Sequence, residues 1–347
     1  MIVEPDLQQG GSMENIKNGS EESPIIVYYY FDLSDTEAFC SRLEKRFRDS
    51  GHTRPLEFRN WNCYNEKPGY DGDVYCYDAI VMSTLVDEGY LRVLPDIIDT
   101  GRVFPWILNR SRIHNKIYGI PLMACSNVLI CREEDDFPMT NIFDIPEGLA
   151  APLKSMASFY YLYAFCTIQG PQDTVNRTIK QLRLLMNNDT YENSHFATYD
   201  GFTRFMNGDC KYIIGFTEDI RRFDTGKYKV RTLNLSDNPT NEMPLYPVDL
   251  ASLGRNVSGD KLLDCLDLME IISDSDFIYD ICCVDGKLQY MLPADQTLYP
   301  RLAEMDPIYN DFFDFMNDEN NGILRFGKHF YEIFPEREKK IMEILNS

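Results

Sequence analysis

The apolar run Ile25-Ile26-Val27-Tyr28-Tyr29-Tyr30-Phe31 is followed at once by a segment of helical spacing, and this order constrains the fold more than any other feature of the chain. A short unbroken apolar stretch reads as a strand covered on both faces. Residues 35–48 place apolar side chains three and four apart behind a Ser34 or Asp35 cap, which predicts a helix. Further short strands are predicted at 56–61 and 74–81, separated by turns holding Pro68-Gly69 and Asp71-Gly72, and a helix at 83–88. Strands alternating with helices imply an α/β fold with a mostly parallel sheet.

Ile117-Tyr118-Gly119-Ile120-Pro121 and Ser126-Asn127-Val128-Leu129-Ile130-Cys131-Arg132 read as two strands around a bend, running into the acidic turn Glu133-Glu134-Asp135-Asp136. This marks a crossing between two lobes. The middle of the chain is more helical, with helices predicted at 156–168, 172–186 and 201–207 before a strand at 210–216. A second crossing falls at 244–250, followed by helices at 261–272, 307–317 and 335–345. The expected division is 24–135 with 246–300 as one lobe and 136–245 with 301–347 as the other. Residues 1–23 are polar and Gly/Ser-rich, without the basic and apolar regions of a signal peptide, and are expected to be disordered. Gly10-Gly11-Ser12-Met13 looks like a join between a leader and a second start, which is compatible with loss of a native signal.

Charge narrows the function. The 347 residues include 34 Lys and Arg against 55 Asp and Glu, a formal net charge of −21, which repels phosphate backbones and anionic lipid headgroups. Nucleic-acid and membrane-surface roles are excluded on that ground, and no apolar run reaches the length of a membrane span. The 22 Tyr and 21 Phe suit a pocket that stacks flat, partly polar rings as well as a core. Ten cysteines occur without a CxxC pair or paired His spacing, so no metal site is expected. Their place within apolar runs reads as buried thiols of a reducing compartment. Six Asn-x-Ser/Thr sequons, at Asn18, Asn109, Asn176, Asn188, Asn234 and Asn256, point instead to secretion, and both compartments stay open.

Four local patterns, in order, resemble one family: Asn62-Cys63-Tyr64, Tyr77-Asp78-Ala79, the stretch from Tyr118-Gly119-Ile120-Pro121 through Cys125-Ser126-Asn127, and Gly215-Phe216-Thr217-Glu218. Together they resemble thiaminase I, also called thiamine pyridinylase, over roughly residues 24–300. The resemblance implies a two-lobed α/β fold of the periplasmic-binding-protein-like (type II) kind with a cleft between the lobes. It also implies substitution at the methylene bridge of thiamine, with Cys125 as nucleophile and Glu218 as the base that activates it. Asp78 and Asp249 match cleft aspartates that would hold the pyrimidine, and Tyr64 and Tyr199 match cleft tyrosines, as does Tyr28 or Tyr30. Phe216 and Pro247 stand where the family pattern has Tyr, with Tyr246 one position away; a further aspartate expected before Tyr118 has no match. The implied partners are thiamine and a small amine, pyridine-type base or thiol, with no cofactor, and a monomer is the default.

The residues themselves admit two readings each. A free thiol is mostly protonated near pH 7 and needs a base, and an acidic base beside Ile213, Ile214 and Phe216 would be tuned upward by its apolar setting. Otherwise Cys125 is a buried strand thiol, and Glu218 a helix N-terminal carboxylate favoured by the macrodipole. Asp78 ends an apolar strand, where an α/β fold places ligand-facing groups, or it caps the segment beginning at Ala79. Tyr28 and Tyr30 share one face of their strand and Tyr29 takes the other. A non-catalytic receptor for thiamine or a related pyrimidine would have the same fold without needing Cys125 and Glu218. A relative acting on another aminopyrimidine is the third alternative.

Overall fold

The structure is a computed structural model that describes residues 22–30, 36–95, 99–136, 149–150, 200–232 and 245–345. It opens with β1 (Ile25–Tyr29), α1 (Thr36–Asp49), β2 (Leu56–Asn60) and β3 (Val74–Asp78), the strand–helix–strand order predicted. β1 pairs in parallel with β2 on one side and β3 on the other. α1 buries Phe39, Leu43 and Phe47, four residues apart, so a single apolar stripe docks it on the sheet. α2 (Met82–Asp87) and α3 (Pro105–Arg110) follow, then the hairpin β4 (Arg112–Ile113) and β5 (Lys116–Ile117), turned by His114 and Asn115 at positive φ.

Beyond β3 the sheet departs from expectation. β6 (Gly119–Ala124) is followed by β7 (Asn127–Arg132), β8 (Leu149–Ala150), α4 (Asp200–Asn207), β9 (Tyr212–Phe216), β10 (Tyr228–Thr232), β11 (Leu245–Tyr246) and β12 (Val248–Leu253). Then come α5 (Gly259–Ile272), α6 (Ser275–Cys282), the hairpin β13 (Cys283–Val284) and β14 (Lys287–Leu288), and β15 (Leu292–Pro293). α7 (Tyr299–Ala303), α8 (Ile308–Met316), β16 (Gly322–Ile323) and α9 (Phe330–Leu345) close the chain. The first sheet has the order β15-β6-β12-β3-β1-β2, and β12 lies antiparallel to both β3 and β6. It is therefore a mixed sheet rather than the mostly parallel one expected. A parallel sheet requires a helical crossover between successive strands. Here the chain leaves after β6 for a second sheet, ordered β10-β7-β9-β8, and returns at β12, so no crossover sets that strand's direction.

The crossing also corrects the lobe boundary. β7 already belongs to the second sheet, so the chain changes lobes at Cys125-Ser126 and not after Asp135. The C-terminal helices lie against the first lobe rather than the second. The Trp106 indole N–H donates to Met316 O at 2.5 Å, Tyr309 Oη to Met291 O at 3.1 Å, and the Phe330 N–H to Thr84 Oγ1 at 3.0 Å. Each bond ties a residue beyond 301 to an element of the six-stranded side. The helices predicted at 156–168 and 172–186 lie outside the described residues. No helix among the described residues is long and apolar enough to cross a membrane.

The core of the first lobe runs under β3 and β12. Tyr75, Tyr77 and Cys76 are fully buried, and the Tyr77 hydroxyl is satisfied by Ser252 Oγ at 2.8 Å. Just past β12, Gly254 donates its N–H to Asp73 O at 2.8 Å, and a Cβ there would meet Gly72 O at 2.1 Å. Backbone cannot yield as a side-chain tip can, so Gly254→Ala should cost about 2–3 kcal/mol, the scale of overpacking a tight interior. Thermal melts of the purified variant check this: a melting temperature unchanged from that of the parent chain would refute it.

Candidate active site

β3 ends at Asp78, and the antiparallel ladder sets Asp249 of β12 directly opposite it. Opposed residues project from the same face of a sheet, so two carboxylates lie side by side where like charges repel. Asp78 is 3% exposed and fully engaged: Oδ2 accepts from the Tyr64 hydroxyl at 2.6 Å, and Oδ1 accepts from the Ile80 N–H at 2.7 Å. The second bond caps the turn Ala79–Val81, so the two sequence readings of Asp78, cap and site carboxylate, are compatible. Burial pushes its carboxyl up to about 6, against the downward pull of those two hydrogen bonds.

The same strand leads to the cysteine. On β12 the pairing with β6 runs Asp249–Met123 and Val248–Ala124, and the Cys125 N–H continues it to Pro247 O at 3.1 Å. On its other side Cys125 adjoins the second sheet. Asn127 pairs with Phe216 at the end of the β7–β9 ladder, and the Thr217 N–H donates at 2.9 Å to the O of Ser126, one residue past Cys125. Thr217 links the two chains: its Oγ1 accepts from the Ser126 N–H and donates to Glu218 Oε2, both at 3.3 Å. Glu218 is 7% exposed while Cys125 is half-buried. Cys125 lies between β6 and β7, where the chain passes from the first sheet to the second.

The tyrosines divide. Tyr64 touches Asp78, and Tyr30 lies edge-on to Tyr64 with ring centroids 5.5 Å apart, so these two join the site. Tyr28 does not. Its ring stacks on Tyr75 and its hydroxyl is held between Asp71 and Arg59, toward the beginning of β3 rather than its end. Tyr246 is 1% exposed and packs on Trp106, and its hydroxyl bonds with Ser126, the residue that follows Cys125. Phe216 is buried at the end of β9. Tyr199 lies outside the described residues.

Sequence reasoning had quoted Cys63 only within a pattern, and the structure sets its buried sulfur beside Asp78. The signal was available in the Asn62-Cys63-Tyr64 order, because Asn62 Oδ1 accepts from the Tyr64 N–H at 3.0 Å in a local turn. Among the described residues one trio, Glu88, His329 and Glu332, has metal-competent atoms within 4.8 Å of one another. The Lys67 ammonium already bridges its two carboxylates, at 2.8 Å and 2.9 Å.

Two α/β lobes, with the chain crossing from the first sheet to the second after β6 and returning at β12, define the class: a two-lobed fold of the periplasmic-binding-protein-like kind. Within that class the chain is similar to Thiaminase-1 of Paenibacillus thiaminolyticus, 28% identical over 94% of this chain and 90% of that one. Among solved structures it is similar to Clostridium botulinum thiaminase I in complex with thiamin, with a TM-score of 0.79, 24% identity, and coverage of 93% of this chain and 100% of the other. Thiaminase I from Bacillus thiaminolyticus gives a TM-score of 0.80 at 23% identity, covering 93% and 99%. A eukaryotic thiaminase-I bound to 3-deazathiamin gives 0.70 at 17%, again covering 93% and 99%. No family model matches the chain. The resemblance read from four short patterns thus extends along almost the whole chain.

The raised carboxyl of Asp78 has a consequence for stability. Its folded-state value lies above that of the unfolded chain, so folding is penalised when the group is ionised, and the penalty fades as pH falls through about 6. Asp78→Asn should therefore be more stable than the parent at about pH 8, on the order of 2–3 kcal/mol, with the gap closing toward about pH 4. Melting curves across that range check it, and a gap that widens on acidification would contradict the assignment.

Proposed function

We propose that the chain is a thiamine-degrading transferase of the thiaminase I type. The observation that supports this reading is the pairing of Asp78 with Asp249 at the end of β3, with Cys125 just past β6 bonded to Pro247 O, and Glu218 tied through Thr217 to Ser126. It occurs in a chain aligned nearly end to end with Thiaminase-1. Asp78 and Asp249, with Tyr64 and Tyr30 beside them, hold the aminopyrimidine through its amino group and ring nitrogens. Glu218 takes the proton of Cys125, and the thiolate adds to the electron-poor ring, forming a carbon–sulfur bond. The bond from the methylene to the thiazolium nitrogen then breaks, and the electron pair leaves with nitrogen as neutral thiazole.

An amine, pyridine-type base or thiol next attacks the methylene carbon. The carbon–sulfur bond breaks to restore the ring, Glu218 returns its proton to the departing Cys125 thiolate, and the freed carboxylate then takes the proton of an amine or thiol acceptor and passes it to solvent. The leaving thiazolium belongs to the substrate, so the reaction requires no bound cofactor. A net charge of −21 favours a cationic substrate over a phosphorylated one. Phe216 and Pro247 lack the hydroxyls of the family pattern, a difference that bears on substrate contacts and leaves the nucleophilic step intact.

Incubation with thiamine and an aromatic amine, followed by mass spectrometry, tests the reading. Thiazole and a pyrimidinylmethyl-amine adduct are expected from the parent chain. Cys125→Ser should yield neither while still binding thiamine, and Glu218→Gln should lose about 10²–10³ in kcat, the scale of one acid–base group. Turnover undiminished in Cys125→Ser would overturn the mechanism. Binding without turnover by the parent chain would establish the receptor reading instead.

A further inference from the structure

The turn that carries the proposed base is built around one buried hydroxyl. Glu218 belongs to the short helical turn Thr217–Arg222 that follows β9. The entry to this turn is fixed by buried Asp219, whose Oδ2 accepts from the Phe216 N–H at 2.9 Å. Gly215 leaves room for that carboxylate, since a Cβ there would stand 2.8 Å from the same oxygen. At the exit the Phe223 N–H donates to Ile220 O at 2.8 Å. The cations of the turn, Arg221 and Arg222, are both exposed, and Arg222 lies 3.7 Å from Asp219 Oδ1.

Thr217 joins this turn to the crossing after β6. Its main-chain N–H donates to Ser126 O at 2.9 Å, and its fully buried side chain makes the return bond, Oγ1 accepting from the Ser126 N–H at 3.3 Å. A main-chain N–H can only donate, so this contact uses the hydroxyl as acceptor and leaves its single proton for another partner. That partner is Glu218 Oε2, 3.3 Å away. The residue that follows Cys125 thus sets the direction of the hydroxyl, and the hydroxyl proton points to the carboxylate. A donor held toward a carboxylate favours its ionised form, which is the form able to take the proton of a thiol.

We infer that Thr217 is a positioning residue for Glu218: its hydroxyl, oriented by the Ser126 N–H, holds the carboxylate in its ionised, proton-accepting form next to the segment that carries Cys125. The inference rests on the proposed role of Glu218 as the base.

Three variants test it: Thr217→Val, which keeps the shape without the hydroxyl, Thr217→Ala, which removes hydroxyl and methyl, and Thr217→Ser, which keeps the hydroxyl alone. Two readouts are taken, the pH profile of kcat/KM with thiamine and an aromatic amine, and the carboxyl-carbon NMR titration of Glu218 without substrate. In Val and Ala the acid limb and the titration should both move up by about one pH unit, the worth of a hydrogen bond to a charged group. On that limb kcat/KM then falls about ten-fold, while Ser keeps the parent profile. An unchanged limb and titration in Val and Ala would overturn the inference, and so would an equal shift in all three, which packing alone would give. Should Val and Ala not fold, the parent chain decides: its Ser126 amide proton should titrate together with the Glu218 carboxyl, and an amide indifferent to that titration would overturn the inference. If the parent chain released no thiazole, the proposed function would fail, and the NMR titration would still judge the role of Thr217.

Discussion

The structure depends on β12 lying between β3 and β6. This strand returns from the second lobe and makes both antiparallel ladders of the first sheet's centre, one ending at Asp78–Asp249 and the other continuing to Cys125–Pro247. Register in such a ladder is not adjustable by small steps, because a slip of one residue sends every side chain to the other face. Both faces of β12 are buried, with Leu250 and Ser252 on one and Ala251 and Leu253 on the other, so a slip would exchange two differently packed sets, and core packing fixes which residues meet at the strand's end. Two carboxylates are thereby held face to face at a place they would not choose on electrostatic grounds. Tyr64 and the Ile80 N–H offset part of that repulsion at Asp78, and burial leaves it reluctant to ionise.

The same constraint separates the two thiols. Cys125 is the first residue beyond the β6 ladder, half-exposed, with both sheets ending at it. Cys63 is fully buried, and burial together with Asp78 and Asp249 pushes its thiol well above the usual range. Reactivity of a cysteine follows its thiolate fraction and its access. One fold thus leaves one thiol accessible and encloses the other. The strongly negative surface acts in the same direction as the pair, drawing a cation toward groups that can share a proton with it.

Much of the first lobe was legible because its elements obey a single period. The apolar run of β1 and the stripe of α1 identify themselves locally, and Asp78 stood out as a carboxylate at a strand's end. What could not be read was direction and partnership. Antiparallel β12 looks, as a sequence, like any other apolar strand, and only its return from the other lobe determines how it runs. The bond from Tyr64 to Asp78 spans a turn held by Asn62, and residue type does not reveal which phenol meets which carboxylate. The C-terminal helices were assigned to the wrong lobe because amphipathic periodicity says that a helix docks and not where.

Tyr246 shows how a residue can serve core and crossing together. Its ring packs against Trp106, and its buried hydroxyl bonds with Ser126, the residue that follows Cys125. A phenol hydroxyl is thus present beside the crossing although residue 247 is proline. Phe216 supplies none, and the polar contacts of Asp78 come from Tyr64 and the Ile80 N–H of the first lobe. Cys125 and Glu218 lie apart from these contacts, the first where the chain passes between the sheets and the second in the turn after β9. The two groups are thus placed by different elements, so the surroundings of Asp78 can vary while the crossing keeps its geometry.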